Sequence, residues 1–230
     1  MRAPYADRRD AGHALARTLR PYAGTPNLLV LGLPRGGVPV AYEVAVALGA
    51  PLDVFVVRKL GVPGHEEMAF GAIASGAVRV LDHGLVAQLG ISEAVIERVT
   101  RAERGELERR EQLYHPERPF SGVEGRTVIL VDDGIATGAS MHAAVEALRQ
   151  ERPARIIVAT PVASADAMHS LSKAADECVS VLRPPVFHAV GLWYEDFAQT
   201  TDDEVRRLLR DARDRGTATT AERLERGLAR

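Results

Sequence analysis

The chain has a single cysteine, Cys178, so no disulfide can close within it, and a reducing compartment is the expectation. Lysine occurs only at Lys59 and Lys173, in a chain that otherwise carries its positive charge on arginine. Aromatic residues make up 5% of the sequence, and the one tryptophan, Trp193, lies in a C-terminal segment with Phe187, Tyr194 and Phe197. Long apolar runs are missing too. The best candidate, Val38 to Leu52, contains Glu43 and is closed by Asp53, which excludes a membrane span. Arg8, Arg9 and Asp10 stand where a signal peptide needs apolar residues. With a net charge of −2 and 26% charged residues, there is no basic excess for a nucleic-acid backbone. The expectation is a cytoplasmic protein with neither nucleic acid nor membrane as partner.

What is present is core-forming sequence: 46% of the 230 residues are hydrophobic, enough for one large domain or a domain with an appendage. Its most informative stretch begins at Thr127. Val128-Ile129-Leu130-Val131 reads as a buried parallel strand and ends in two carboxylates, Asp132 and Asp133. Gly134, Ile135, Ala136, Thr137, Gly138, Ala139 and Ser140 follow, then a helical pattern from Met141 to Gln150. In an open α/β sheet, ligands bind beyond the carboxyl ends of the strands. Backbone N–H groups between Gly134 and Ser140, at a helix N-terminus, suit a phosphate, and Thr137 and Ser140 add hydroxyl donors. The two acids would repel that phosphate, so they suit neighbouring hydroxyls, or a cation near a second phosphate. The combination fits a phosphorylated sugar. The lysine that a Walker loop needs after its last glycine is missing.

A second unit of the same kind precedes it. Leu28 to Leu33 has strand length and is followed by Pro34-Arg35-Gly36-Gly37 and a helical pattern through Val40, Val44 and Leu48. The glycine pair permits unusual backbone angles, and Arg35 can hold an anion in a planar fork. Elsewhere the spacing predicts helices over residues 5–20, 92–113, 165–174 and 203–209, and strands over 52–57, 78–81, 155–160 and 178–182. Residues 61–76 are glycine-rich and lack periodicity, so they read as a long functional loop next to Lys59. The apolar stripe of the 92–113 helix fades after its midpoint, which predicts an exposed second half. The tail from Asp211 onward reads as frayed. Strands alternating with helices predict an α/β fold: a mainly parallel sheet with helices on both faces.

The stretch Val128 to Ser140 resembles the signature of type I phosphoribosyltransferases: a hydrophobic strand, two acids, two variable residues, a small residue and then Thr-Gly. Gly32 to Pro39 is similar to that family's pyrophosphate loop. The resemblance implies binding of 5-phosphoribosyl 1-pyrophosphate (PRPP) with Mg²⁺ and transfer of the phosphoribosyl group to a small-molecule nitrogen acceptor, expected to be a nucleobase. It assigns ribose and 5′-phosphate to Asp132, Asp133 and residues 134–140, and pyrophosphate to Pro34, Arg35, Gly36 and Gly37. Lys59, Asp132 and Asp133 become the catalytic candidates, with no dedicated protein cage for the metal. It further implies an N-terminal helix at 1–26, a core at 27–183 with a flap at 58–76 and an insertion at 84–118, a hood at 184–213 and a tail at 214–230. It also admits a homodimer.

In the hood, adjacent residues of an extended segment face opposite ways. Trp193, the larger ring, is expected in the core, with Tyr194 and Asp196 left to bind the acceptor. Ala136 stands where 6-oxopurine enzymes commonly carry an acid, which disfavours a hypoxanthine or guanine acceptor. Two other readings stay open: a non-catalytic sensor of PRPP or nucleotide on the same fold, and hydrolysis of a phosphorylated sugar.

Overall fold

The computed structural model describes residues 3–115, 120 and 122–228, and for 66, 67 and 216–228 the backbone alone. The expected loop through residues 116–119 lies outside this range. So do the ends of the expected N-terminal and tail segments.

The strands β1 (Leu28–Gly32), β2 (Leu52–Val54), β6 (Thr127–Val131), β7 (Arg155–Val162) and β8 (Glu177–Leu182) form a parallel sheet in the order β2-β1-β6-β7-β8. Alternation within each strand divides the core in two. Val30, Ile129, Val131 and Ile157 pack with Leu15 of α1 (Arg8–Thr18), with its C-cap Leu19, and with Val40, Val44 and Leu48 of α2 (Gly37–Leu48). Leu29, Leu31, Val128, Leu130 and Val158 pack on the other face with Met141, Val145 and Leu148 of α5 (Ala139–Gln150) and Ala167 and Leu171 of α6 (Ala165–Leu171). Helices therefore cover both faces of a mainly parallel sheet, which is why its strands read as nearly continuous apolar runs.

The stretch read as a long loop is an antiparallel sheet. β3 (Val57–Val62), β4 (His65–Ala74) and β5 (Val78–Leu81) pair in the order β3-β4-β5. Register shifts beside Gly61 and the scarcity of large side chains hide its alternation. Gly71 is small for a steric reason: a Cβ there would lie 2.4 Å from the Val80 carbonyl oxygen. The expected strand 52–57 is accordingly split, and Lys59 sits within β3, opposite Ala72.

Two further helices fill the insertion. α3 (His83–Leu89) is capped by Asp82, and α4 (Glu93–Tyr114) by Ser92. The second half of α4 is exposed over much of its length, but not all of it: Leu107 and Tyr114 are buried, and the Tyr114 hydroxyl donates to Asp202 at 2.6 Å. Asp202 opens α7 (Asp202–Leu228), which buries Val205, Leu208 and Leu209 against the core. The helix also runs well beyond the Leu209 expected as its end. Among the described residues, no helix is long and apolar enough to cross a membrane.

Candidate active site

Two strand–turn–helix units create the site. β1 and β6 are neighbours in the sheet, with Gly32 paired to Val131, so the turns leaving them lie side by side. The first turn runs from Leu33 into α2, with a cis peptide bond between Pro34 and Arg35. It is packed tightly on the acids. A Cβ at Gly36 would fall 2.1 Å from Asp133 Oδ2, and one at Gly37 would fall 2.6 Å from the Val131 carbonyl oxygen and 3.1 Å from Asp132 Oδ1. Glycine is required here by space. Pro34, Arg35 and Gly36 stay partly exposed at the mouth of this turn.

The second turn is open. Ala136, Thr137, Ala139 and Ser140 are exposed, whereas Ile135 is buried and bridges to Ala163 beside β7. Ser164 ties the loop down by donating to the Ala136 carbonyl at 2.6 Å. Gly138 is the N-cap of α5 with φ 80°, a left-handed conformation, and no side chain caps the helix. The N–H groups of its first turn thus face outward, with only the 3.4 Å Ala139 N–H to Thr137 Oγ1 contact partly occupying one. This is an anion-binding geometry at a helix N-terminus.

Asp132 and Asp133 stand between the two turns. The Asp133 N–H donates to Asp132 Oδ1 at 2.9 Å. Burial, and then repulsion by Asp133, push the Asp132 carboxyl well above the usual carboxylate range, against that N–H and the Arg8 charge. Burial also raises Asp133, against a direct hydrogen bond from Arg8. Arg8 Nε donates to Asp133 Oδ2 at 2.7 Å, and its Nη1 donates to the Ala198 carbonyl at 2.6 Å.

The hood closes over this pair. Residues 193–196 run beside Tyr5 and Ala6, through hydrogen bonds from Tyr5 N–H to the Trp193 carbonyl, from Glu195 N–H to that of Tyr5 and from Asp196 N–H to that of Ala6. Val190 covers Gly134, where a Cβ would sit 2.3 Å from Val190 Cγ1. The rings of the hood are arranged opposite to the sequence expectation. Tyr194 is 5% exposed, donates its hydroxyl to the Asp133 carbonyl, and packs 5.6 Å from Tyr5 and 5.0 Å from Phe197. Trp193 is only partly buried and stacks on Phe187. Tyr194 therefore offers no free face to a flat acceptor. Ring size did not decide which aromatic faces inward, because only the tyrosine hydroxyl meets a buried carbonyl. Asp196 is exposed and accepts from the Ala198 N–H at 2.9 Å, capping its own turn rather than turning with Tyr194 toward a ligand.

The structure thus brings together Pro34, Arg35, Gly36, Gly37, Asp132, Asp133 and residues 134–140. Lys59 lies on β3, next to Arg58, which pairs with Glu103 of α4 at 2.6 Å. Arg8 and Val190 escaped sequence reasoning, because their contacts with Asp133 and Gly134 join residues far apart in the sequence. Among the described residues, no cluster of three or more His, Cys, Asp or Glu side chains is disposed to hold a metal ion.

The sequence pattern of the phosphoribosyl transferase domain family matches residues 6–196. Relatives from two strains of Mycobacterium tuberculosis, CDC 1551 and H37Rv, both with the provisional name phosphoribosyl transferase, are 45% identical over 201 residues, or 87% of this chain. That alignment spans 45% of the length of each relative. The crystal structure of the protein TT1426 from Thermus thermophilus is 45% identical and superposes with a TM-score of 0.82, covering 91% of this chain and 98% of that one. This chain belongs to the phosphoribosyl transferase domain family.

Proposed function

We propose that the chain transfers the 5-phosphoribosyl group of PRPP to a nitrogen of a nucleobase-type acceptor in the cytoplasm, with Mg²⁺, releasing pyrophosphate. One observation supports this above the others: the tight 34–37 turn abuts an acid pair that itself leads into an open helix N-terminus. That order offers sites for pyrophosphate, ribose and 5′-phosphate in the sequence in which PRPP carries them.

In this reading, the bond from ribose C1′ to the pyrophosphate oxygen breaks and its electron pair leaves with the pyrophosphate. The acceptor nitrogen bonds to C1′ and gives up its proton. Arg35 and the Gly36-Gly37 backbone meet the growing negative charge of the leaving group. Asp132 and Asp133 hold the ribose hydroxyls and stabilise the electron-poor ring. The amides of 134–140 anchor the 5′-phosphate, at about 1.5–3 kcal/mol for each hydrogen bond to a charged group. Lys59, on β3, would meet the pyrophosphate charge when the β3–β4 hairpin closes as the flap.

The donor set fits a magnesium ion that arrives with its substrate: hard carboxylate oxygens are present at Asp132 and Asp133, without a closed protein cage. When bound, the ion would neutralise pyrophosphate charge. Ala136, the small residue before Thr137-Gly138, argues against a 6-oxopurine as acceptor.

Pyrophosphate release from labelled PRPP, screened over nucleobases with and without Mg²⁺, tests the proposal. Base-dependent, Mg²⁺-dependent release is expected. PRPP binding without release would instead favour a sensor, and free phosphate as the product would favour a hydrolase.

A further inference from the structure

We propose that Arg8 is a positioning residue of the site, holding the Asp133 carboxylate beside Gly36 so that it faces the ribose hydroxyls. The inference rests on the reading of Asp133 as a ribose-binding acid. Arg8 is the first residue of α1, where the positive end of the helix dipole makes a cation unfavourable. It is nevertheless enclosed: its side chain is 12% exposed and that of Asp133 13%. The guanidinium group is held at three points: Nε meets Asp133, Nη1 meets the Ala198 carbonyl, and Cζ lies 4.0 Å from the centre of the Phe197 ring. A Cβ on Gly36 would come within 3.3 Å of Arg8 Nε, so the arginine also touches the pyrophosphate-type turn.

A purely structural role explains this placement poorly, because α1 is already secured by other contacts. Leu15 and Leu19 are fully buried, and Arg9 and His13 both pair with the buried Glu43 at 2.9 Å. The Tyr5 hydroxyl donates to the Pro161 carbonyl at 3.0 Å. What Arg8 alone supplies is a positive charge on an acid that has another acid next to it. The charged and titratable groups facing Asp133 are Arg8 from α1, Asp132 from its own turn, and Tyr194 from the hood, with Tyr5 behind it. Without Arg8, the Asp133 carboxylate would lose the side-chain donor that fixes it beside Gly36, next to a second acid that repels it.

Arg8→Met keeps an apolar stem for Phe197 and removes the charge, Arg8→Lys keeps the charge without the fork, and Arg9→Met is the control on the same helix. The first readout needs no ligand: crystal structures of the folded variants, in which the Asp133 carboxylate should leave its place beside Gly36 in Arg8→Met and keep it in Arg8→Lys and Arg9→Met. The second is PRPP affinity with Mg²⁺ by calorimetry. Arg8→Met should bind about tenfold more weakly, with Arg8→Lys recovering part of the loss and Arg9→Met unaffected. An unmoved Asp133 carboxylate in folded Arg8→Met, or wild-type affinity in that variant, would overturn the role of Arg8 while leaving PRPP binding intact. Failure of the wild-type protein itself to bind PRPP would overturn the phosphoribosyl reading, and the ribose role of Arg8 with it.

Discussion

The turns after β1 and β6 begin alike, each a buried strand ending in a glycine-bearing turn that starts a helix, but they use glycine for opposite reasons. Gly36 and Gly37 are small because the acids and the β6 backbone press against them, at 2.1 Å and 2.6 Å from a would-be Cβ. Gly138 meets nothing closer than 3.4 Å; it is glycine because its φ is 80°. The first turn thus has a steric task, setting where the acids sit, and the second a conformational one, turning helix N–H groups outward. Two turns with one topology can therefore be distinguished by which substitutions each tolerates.

The largest effect is expected at Gly37→Ala. The added carbon would meet the Val131 carbonyl oxygen and Asp132 Cα, which are backbone atoms of a central strand and cannot swing aside. A loss of about 3 kcal/mol, at the upper end of ordinary overpacking, should appear as a lower urea midpoint, and PRPP binding should be lost with it. A stable Gly37→Ala protein that binds PRPP would mean that the two turns are not sterically locked together.

The two turns also differ in how readily sequence exposed what surrounds them. The parallel sheet was legible because its strands are buried on both faces and form apolar runs such as Val128 to Val131. The turns were legible because their chemistry is local: acids, glycines and hydroxyls within a few residues. The β3–β4–β5 sheet was not. Its residues at Gly61, Gly71, Ala72 and Ala74 are too small to print an alternation, and a register shift breaks the pattern further. The covering of the acids was equally hidden. Arg8 and Asp133 are separated by 125 positions, and no spacing rule links them. Aromatic size likewise misdirected the reading of the hood, where a hydroxyl's need for an acceptor placed Tyr194 inside and left Trp193 nearer the surface.

Gly138 sharpens the contrast. Ala at this position has room but must adopt a left-handed conformation, costing about 1–2 kcal/mol, whereas Asn tolerates that region better and should recover part of the loss. Thermal melts of Gly138→Ala and Gly138→Asn would show it. At Gly37 the same pair should show no such recovery, since the larger side chain only worsens the clash. Equal losses for Ala and Asn at Gly138 would remove the conformational explanation.

The acids between the turns carry a cost in the unliganded state. Burial raises Asp132 and Asp133 above their unfolded values. The stability linked to such a shift is fully present below the unfolded value of about 4 and is lost as pH rises through the folded one. The ligand-free protein should therefore melt at lower temperature at neutral pH than in mild acid, for the share that these groups contribute. Asp132→Asn removes one buried charge and should gain about 1 kcal/mol at neutral pH, while weakening PRPP binding. A destabilised Asp132→Asn protein would show that the charge is better compensated than its surroundings imply.

The smallest effect belongs to the hood, which touches the second turn through Val190 and Tyr194. Tyr194 donates its hydroxyl to the Asp133 carbonyl, and the ring stays packed against Tyr5 and Phe197. Burial, and then the negative charge of Asp133, raise the phenol above its ordinary range, so it remains a neutral donor at any pH at which the protein functions. Tyr194→Phe preserves the ring and deletes one neutral hydrogen bond, for a cost of about 0.5–1 kcal/mol in urea melts. Because the carbonyl belongs to Asp133, losing the hydroxyl also loosens that residue's backbone. PRPP affinity should fall slightly, whereas Trp193→Phe, on the partly exposed face, should leave it unchanged. If Trp193→Phe weakened PRPP binding more than Tyr194→Phe, the link from hood to acid would run through the indole, and the hydroxyl at Asp133 would be only a packing contact.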